Sequence, residues 1–116
     1  MFGVHADSGF HPTLPGIQMK TLCHGAQTLL VEIRLARGSS IPEHRHPHEQ
    51  TGYLVSGRMV MQVEQASREL LPGDSWSIPS NAAHQVQVLE DTVVVEVFSP
   101  LRTEYLVYEN PADVIV

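Results

Sequence analysis

Three closely spaced histidines stand out in one short stretch of the chain. His44, His46 and His48 lie within residues 38–57, which begin and end with glycine. Imidazole is the commonest protein ligand of transition metals. Side chains two residues apart on a strand point to the same face, so His44 and His46 can reach one ion together. We interpret the stretch as one wall of a metal site, although an isolated His-x-His pair is also typical of a solvated strand edge.

Residues 38–57 and 73–88 together resemble the two metal-binding motifs of the cupin superfamily. The second stretch reads Gly73-Asp-Ser-Trp-Ser-Ile-Pro79-Ser-Asn81-Ala-Ala-His84. The resemblance implies an all-β fold, the cupin double-stranded β-helix or jelly-roll barrel. It also implies one divalent metal ion, and nickel, zinc, manganese and iron all suit an imidazole-rich site. Carried over position by position, the family's metal ligands fall on His44, His46, Gln50 and His84.

Three positions depart from the usual cupin pattern. Gln50 replaces the glutamate ligand, Asn81 replaces a glycine and Val88 replaces a frequent asparagine. Asn81 can adopt the left-handed backbone conformation of glycine, and Val88 is expected to pack in the barrel lumen. Glu49 is the alternative fourth ligand, but it requires a one-residue slip and faces the other side of the strand. We therefore favour Gln50.

Within the cupins, residues 44–51, 53–57 and 97–102 are similar to a pectin-degradation subgroup. This resemblance implies an enzyme that converts 4,5-unsaturated monouronate to the open-chain 5-keto-4-deoxyuronate. The subgroup's catalytic acid falls on Glu96, where the usual residue is Asp, and its Phe and Arg fall on Phe98 and Arg102. The extra methylene of Glu moves the acid by about an ångström, a displacement that can cost roughly a hundredfold in rate. The change from Asp to Glu therefore bears on which substrate the enzyme accepts, and not on the fold.

The residue types suit this ring opening. The reaction needs a proton at C4 of an enol ether, water at C5 and collapse of the resulting hemiketal. Glu96 is expected to move the proton, Arg102 to hold the uronate carboxylate and Phe98 to pack against the sugar. A neutral Gln50 leaves the ion its full charge, which favours Lewis acidity.

Other functions also fit a metal-binding cupin. One is a metal-dependent dioxygenase, because His-rich iron sites can keep positions open for oxygen. Another is a non-enzymatic module that binds a sugar or a metal, although an output domain is not expected in 116 residues. A third is a structural barrel, which requires a lumen filled by side chains. Glu96 itself has a structural alternative, a buried ion pair with Arg34 or Arg58.

The elements that must position these residues are predicted to be strands. Residues 27–36 alternate with Leu29, Val31, Ile33 and Leu35 on one face, and no helical periodicity is present. Met59 and Met61 are interpreted as core filling. Trp76 is interpreted as a core anchor, with an aromatic wall near the site as the alternative. Residues 1–16 are rich in Gly and Pro and are expected to form an irregular arm.

The strand predicted at residues 92–99 is apolar on both faces. One row contains Val93, Val95 and Val97, and the other contains Val94, Glu96 and Phe98. A strand of this kind must be covered on both faces. We expect the outer cover to come from a second subunit or from the tail, so a homodimer is predicted through Val93, Val95 and Val97 or through residues 105–108.

Length and charge narrow the remaining possibilities. A chain of 116 residues predicts a single domain. The formal charge of −6 disfavours nucleic acid as a partner. A single cysteine, Cys23, excludes an internal disulfide. The start has neither a basic nor an apolar leader region, and no apolar run could span a membrane, so a cytoplasmic protein with a small-molecule substrate is expected.

Overall fold

The computed structural model describes residues 1–116. The chain forms twelve β-strands and two 3₁₀ helices, Thr103–Tyr108 and Pro111–Asp113. In chain order the strands are β1 Phe2–Gly3, β2 His11–Leu14, β3 Ile17–His24, β4 Leu29–Leu35, β5 Ser40–His44, β6 Glu49–Ser56, β7 Met59–Val63, β8 Ala66–Leu70, β9 Ser75–Ile78, β10 His84–Val88, β11 Thr92–Ser99 and β12 Val114–Ile115. No helix is both long enough and apolar enough to cross a membrane.

Two antiparallel sheets enclose the core. The larger sheet has six strands in the order β2-β3-β4-β11-β6-β9, and the smaller has four in the order β5-β10-β7-β8. The terminal strands β1 and β12 form a separate pair. The all-β jelly-roll fold expected of a cupin is confirmed.

Side-chain alternation selects the faces of the larger sheet. All four predicted apolar positions of β4 are buried, and they pair with a row of β11 that contains Val94, Glu96 and Phe98. Between the sheets, Met59 and Met61 fill the core as predicted. Val88 is also buried in the lumen, and Asn81 has a φ of 63°, the left-handed conformation expected at that turn. Glu96 is therefore an acidic residue on an inward-facing row.

The expectation of an irregular arm over residues 1–16 is wrong in part. β1 pairs with β12 and β2 pairs with β3, the latter through a turn in which Gly16 has a φ of 77°. Every residue of β2 is exposed. An edge strand that buries neither face carries no apolar period, so its sequence pattern gave no signal.

The C-terminal tail packs against its own barrel. Thr21 Oγ1 donates a hydrogen bond to the backbone carbonyl of Tyr105 at 2.6 Å. Lys20, almost fully buried, bonds Asp113 at 2.6 Å and the Ser8 carbonyl at 2.8 Å, so it holds both ends of the chain. Tyr105 and Tyr108 pack against the core. These two side chains therefore help to cover the chain's own interior, and a subunit interface at residues 105–108 stays a prediction.

Candidate metal centre and adjoining cavity

Three of the predicted ligands meet at one end of the smaller sheet. His44 ends β5 and pairs directly with His84, the first residue of β10. His46 lies just beyond β5, in the loop before β6, so the two histidines do not share one strand as the spacing predicted. The nitrogen atoms that these three residues can offer all lie within 4.8 Å of one another. They form a group that could hold a metal ion.

Each of the three imidazole rings is oriented by a backbone carbonyl two residues away in sequence. The Nδ1 atoms of His44, His46 and His84 lie 2.9, 2.9 and 2.8 Å from the carbonyl oxygens of Pro42, His48 and Ala82. A carbonyl only accepts, so each Nδ1 carries the hydrogen and each Nε2 keeps its lone pair. This is the outer-shell arrangement that typically fixes a metal-binding histidine.

The protonation states also suit metal binding. Burial, followed by the charge of Arg102, lowers the pKa of His46 to about 4. Burial likewise lowers the pKa of His84. Both rings are therefore neutral at neutral pH and can donate a lone pair. Nε2 of His84 is buried and has no hydrogen-bond partner in the chain. An orphaned buried acceptor is costly, and a cation in the cluster would satisfy it.

Gln50 completes this group of donors. Its side-chain Nε2 donates to Oε2 of Glu96, which turns its carboxamide oxygen toward the histidines. That oxygen, Oε1, lies 3.0 Å from Nε2 of His46. Because Nε2 of His46 is itself an acceptor, two acceptors face each other, and a cation between them relieves the conflict. Gln50 is buried and Glu49 is exposed, as the favoured assignment requires. Three imidazole nitrogens and one amide oxygen are a suitable ligand set for a divalent transition metal.

Glu96 lies next to this group and takes part in no salt bridge. Its Oε2 accepts hydrogen bonds from Gln50 Nε2 and from Trp76 Nε1, the latter at 3.0 Å. Burial raises the pKa of the Glu96 carboxyl, while the two donors and Arg102 oppose the rise. The alternative of a structural ion pair is wrong. Arg34 instead pairs with Glu32 and Asp7, and Arg58 with Glu69 and Glu90.

Arg102 and Phe98 lie together beside the histidines. The Arg102 guanidinium carbon lies 5.0 Å from the Phe98 ring centre and 4.1 Å from that of Tyr105. Its Nε donates to Glu104 at 2.8 Å, and its two terminal nitrogens have no partner in the chain. Phe98 is 2% exposed, and its ring packs edge-on against His46 at 5.8 Å. The aromatic rings therefore hold the guanidinium, which keeps free donors for a ligand.

A cavity of about 390 Å³ joins these residues into one site. This size lies within the usual range for small-molecule sites, roughly 300–1,000 Å³. The open lumen is evidence against a purely structural barrel, which would be filled by side chains. The polar part of the wall contains His44, His84, Gln50, Glu96, Arg102, Tyr105 and Tyr108, and Phe98 lies beside them. The apolar part includes Met19, Ile33, Leu35, Ile41, Met59, Met61, Val86 and Val94.

Three residues of the site were missed or only partly anticipated. Tyr105 and Tyr108 line the cavity from a 3₁₀ helix, whose short length leaves no strand period to reveal them. Burial raises the pKa of the Tyr105 phenol to about 12, so the phenol stays protonated at neutral pH. Trp76 is half-buried against the core, as favoured, and it also bonds Glu96, as the alternative suggested.

Comparison with known proteins adds independent findings. Residues 31–99 match the family model described as the cupin domain. The chain is 30% identical over 93 residues to the pectin degradation protein KdgF of Dickeya dadantii, covering 78% of this chain and 84% of that protein. The structure resembles that of KdgF from a Halomonas species, with a TM-score of 0.85 and 32% identity over 90% of this chain and 98% of that one. A cupin of Shewanella frigidimarina described as RmlC-like has a TM-score of 0.79 at 24% identity, covering 83% and 86% of the two chains, and supports the fold alone.

Proposed function

Because the chain belongs to the cupin family, we propose that it is a metal-dependent enzyme that converts 4,5-unsaturated monouronate to the open-chain 5-keto-4-deoxyuronate. Its similarity to the pectin degradation protein KdgF of Dickeya dadantii, and to KdgF of a Halomonas species, supports a role in pectin degradation. The proposed substrate is a small acidic sugar. The proposed metal ligands are His44, His46, Gln50 and His84, and the ion is nickel, zinc, manganese or iron.

One observation carries this proposal. A buried carboxylate, Glu96, shares a cavity with an arginine that has free donors and lies next to the histidine group. A buried carboxylate without a salt bridge is costly as structure alone. Such a group beside a ligand cavity is a candidate for proton transfer. An arginine on the same wall indicates a negatively charged ligand, and a uronate carries a carboxylate.

The reaction can be written so that its atoms balance. A proton adds to C4, and a water oxygen bonds to C5 to give a hemiketal. The bond between C5 and the ring oxygen then breaks, which leaves a ketone at C5 and a hydrated aldehyde at C1. Loss of water from C1 gives the open-chain product, an isomer of the substrate. Glu96 delivers the first proton and recovers one from the attacking water.

The other residues bind and orient the sugar. The two terminal nitrogens of Arg102 have no partner in the chain. They can therefore hold the uronate carboxylate through two parallel hydrogen bonds. Phe98 lines the cavity beside the guanidinium, and the proposed role of this residue is to bound the space that the sugar occupies. When bound, a divalent ion supplies Lewis acidity, and the neutral Gln50 leaves that acidity undiminished.

The direct test is turnover of the unsaturated monouronate. Protein purified without an affinity tag is incubated with the sugar that a pectate lyase produces, and the absorbance of its conjugated enol ether is followed. We expect this absorbance to fall and an open-chain ketone to appear in the NMR spectrum of the product. Oxygen consumption with a flavonol or a diketone, without any effect on the uronate, would instead identify a dioxygenase.

We also propose a homodimer across the outer face of β11. Val93, Val95 and Val97 are half-buried on that face. On the neighbouring strand β6, Tyr53 and Val55 are 48% and 47% exposed. The outward rows of β11 and β6 therefore form one apolar surface on adjacent strands. Contact between two copies would bury the apolar area that a single chain leaves open.

A further inference from the structure

The indole of Trp76 lies across a glycine on the neighbouring strand. Trp76 on β9 pairs directly with Gly52 on β6. A Cβ atom at Gly52 would overlap the Cε2, Cζ2 and Nε1 atoms of the indole. Only glycine therefore lets the ring approach this strand so closely. The absence of a side chain at Gly52 opens the path by which Trp76 reaches the interior.

At the end of this path, Trp76 meets the same carboxylate oxygen as Gln50. Nε1 of Trp76 donates to Oε2 of Glu96 at 3.0 Å, and Nε2 of Gln50 donates to the same oxygen. The second oxygen, Oε1, accepts no hydrogen bond from the chain. Glu96 lines the cavity, and no group of the chain competes with a ligand for this oxygen. The two carboxylate oxygens therefore differ, because Oε2 accepts two hydrogen bonds from the chain and Oε1 accepts none.

We propose that Trp76 is a positioning residue that fixes the rotation of the Glu96 carboxylate, so that Oε1 is the oxygen that exchanges a proton with the substrate. The terminal torsion of a glutamate is broad and roughly two-fold, so a carboxylate with one donor can exchange its two oxygens. A second donor on Oε2 removes that freedom. The catalytic part of this proposal rests on the proposed function, whereas the hydrogen bond does not.

A spectroscopic experiment tests the hydrogen bond without reference to turnover. Trp76 is the only tryptophan of the chain, so ¹⁵N-labelled protein gives one indole Nε1–H resonance. We expect the proton of this resonance to lie downfield, as for a donor to a carboxylate, and to move upfield in Glu96→Gln, where the acceptor is neutral. Tyr53→Phe, at an exposed position beside Gly52, is the control and should leave it in place. A resonance that is the same in Glu96→Gln and in the unmodified protein would overturn the proposal.

A kinetic experiment tests the positioning role. Trp76→Phe keeps the aromatic ring but removes the donor, and Gly52→Ala displaces the indole while leaving Trp76 in the sequence. Both variants should lower kcat about 10- to 100-fold, the range expected when a hydrogen bond to a charged group is lost. KM should change by less than about twofold, and metal content should stay the same, because neither Trp76 nor Gly52 is placed on the metal or on the substrate carboxylate.

The two proposals fail in different ways. If the unmodified protein does not open the uronate ring, the proposed function and the catalytic part of this inference are both wrong. If the unmodified protein is active and Trp76→Phe keeps its kcat while melting at a lower temperature, only the positioning role is wrong, and Trp76 is structural. Melting temperatures measured for every variant separate these outcomes from a failure to fold.

Discussion

The carboxamide oxygen of Gln50 lies 3.0 Å from Nε2 of His46, although both atoms are hydrogen-bond acceptors. A hydrogen bond on the far side of each group fixes its orientation. Glu96 takes the Gln50 amide hydrogen, and the His48 carbonyl takes the hydrogen on Nδ1 of His46. The two lone pairs are thus held toward each other, an arrangement that a shared cation would stabilise. Through Gln50, the same contact links the candidate metal centre to the carboxylate that is proposed to move the proton.

Metal content should depend on the three histidines of the cluster. His46→Ala and His84→Ala each remove a ligand nitrogen, and we expect metal per chain to fall at least tenfold by elemental analysis of dialysed protein. Losing an outer-shell partner alone typically costs 10- to 100-fold in affinity, and losing a ligand costs no less. His48→Ala is the control, because its ring is outside the group and its contribution comes from its backbone carbonyl. Equal metal loss in all three variants would contradict the assignment.

Gln50→Glu should keep the metal but impair turnover. The new carboxylate is a good ligand, yet it cannot donate to Glu96 and lies against it. Two carboxylates in contact do not both ionise readily, so one of them takes up a proton. We expect kcat to fall at least tenfold with metal content unchanged. Glu49→Gln, at the exposed neighbouring position, is the control. Full activity in Gln50→Glu would show that the neutral amide is not required.

Tyr105 should limit stability at alkaline pH. Burial raises the pKa of its phenol from 10.0 in the unfolded chain to about 12 in the folded protein. Its contribution to the free energy of unfolding is therefore complete below pH 10 and is lost as the pH rises through about 12. Tyr105→Phe should remove this part of the alkaline loss when denaturation is measured from pH 9 to 12. An alkaline profile of Tyr105→Phe identical to that of the unmodified protein would contradict the assignment.

The proposed dimer depends on the outer row of β11. Placing an arginine at Val95 puts a charge in the middle of the apolar surface, where burial against a second copy is costly. We expect Val95→Arg to shift the protein from dimer to monomer in light scattering while the circular dichroism spectrum is retained. Val95 is only half-buried in the single chain, so part of its side chain is open to such a contact. An unmodified protein that is already monomeric and stable would rule the dimer out.

Most of the strands could be predicted from side-chain alternation, and the ligand group from the resemblance of two stretches to the cupin motifs. Alternation identified the inward row of β11 and placed Glu96 on it, and the two motifs brought His44 and His84 together. Alternation predicts the face of the strand on which a side chain lies, but not which residues that side chain contacts. The pairing of Trp76 with Gly52, the hydrogen bond from Gln50 to Glu96 and the return of Tyr105 to the cavity arise from contacts between distant parts of the chain. Periodicity contains no information about such contacts.

The most direct test of the account is the activity of Glu96→Gln and Arg102→Lys on unsaturated monouronate. In Glu96→Gln the amide oxygen can still accept the two hydrogen bonds, so fold and metal should be retained, while loss of the proton-transfer group should lower kcat about 10²- to 10⁴-fold. Arg102→Lys should chiefly raise KM, because lysine cannot reproduce the paired hydrogen bonds of a guanidinium. Loss of enol-ether absorbance at the unmodified rate in Glu96→Gln, at equal metal content and melting temperature, would contradict the central claim.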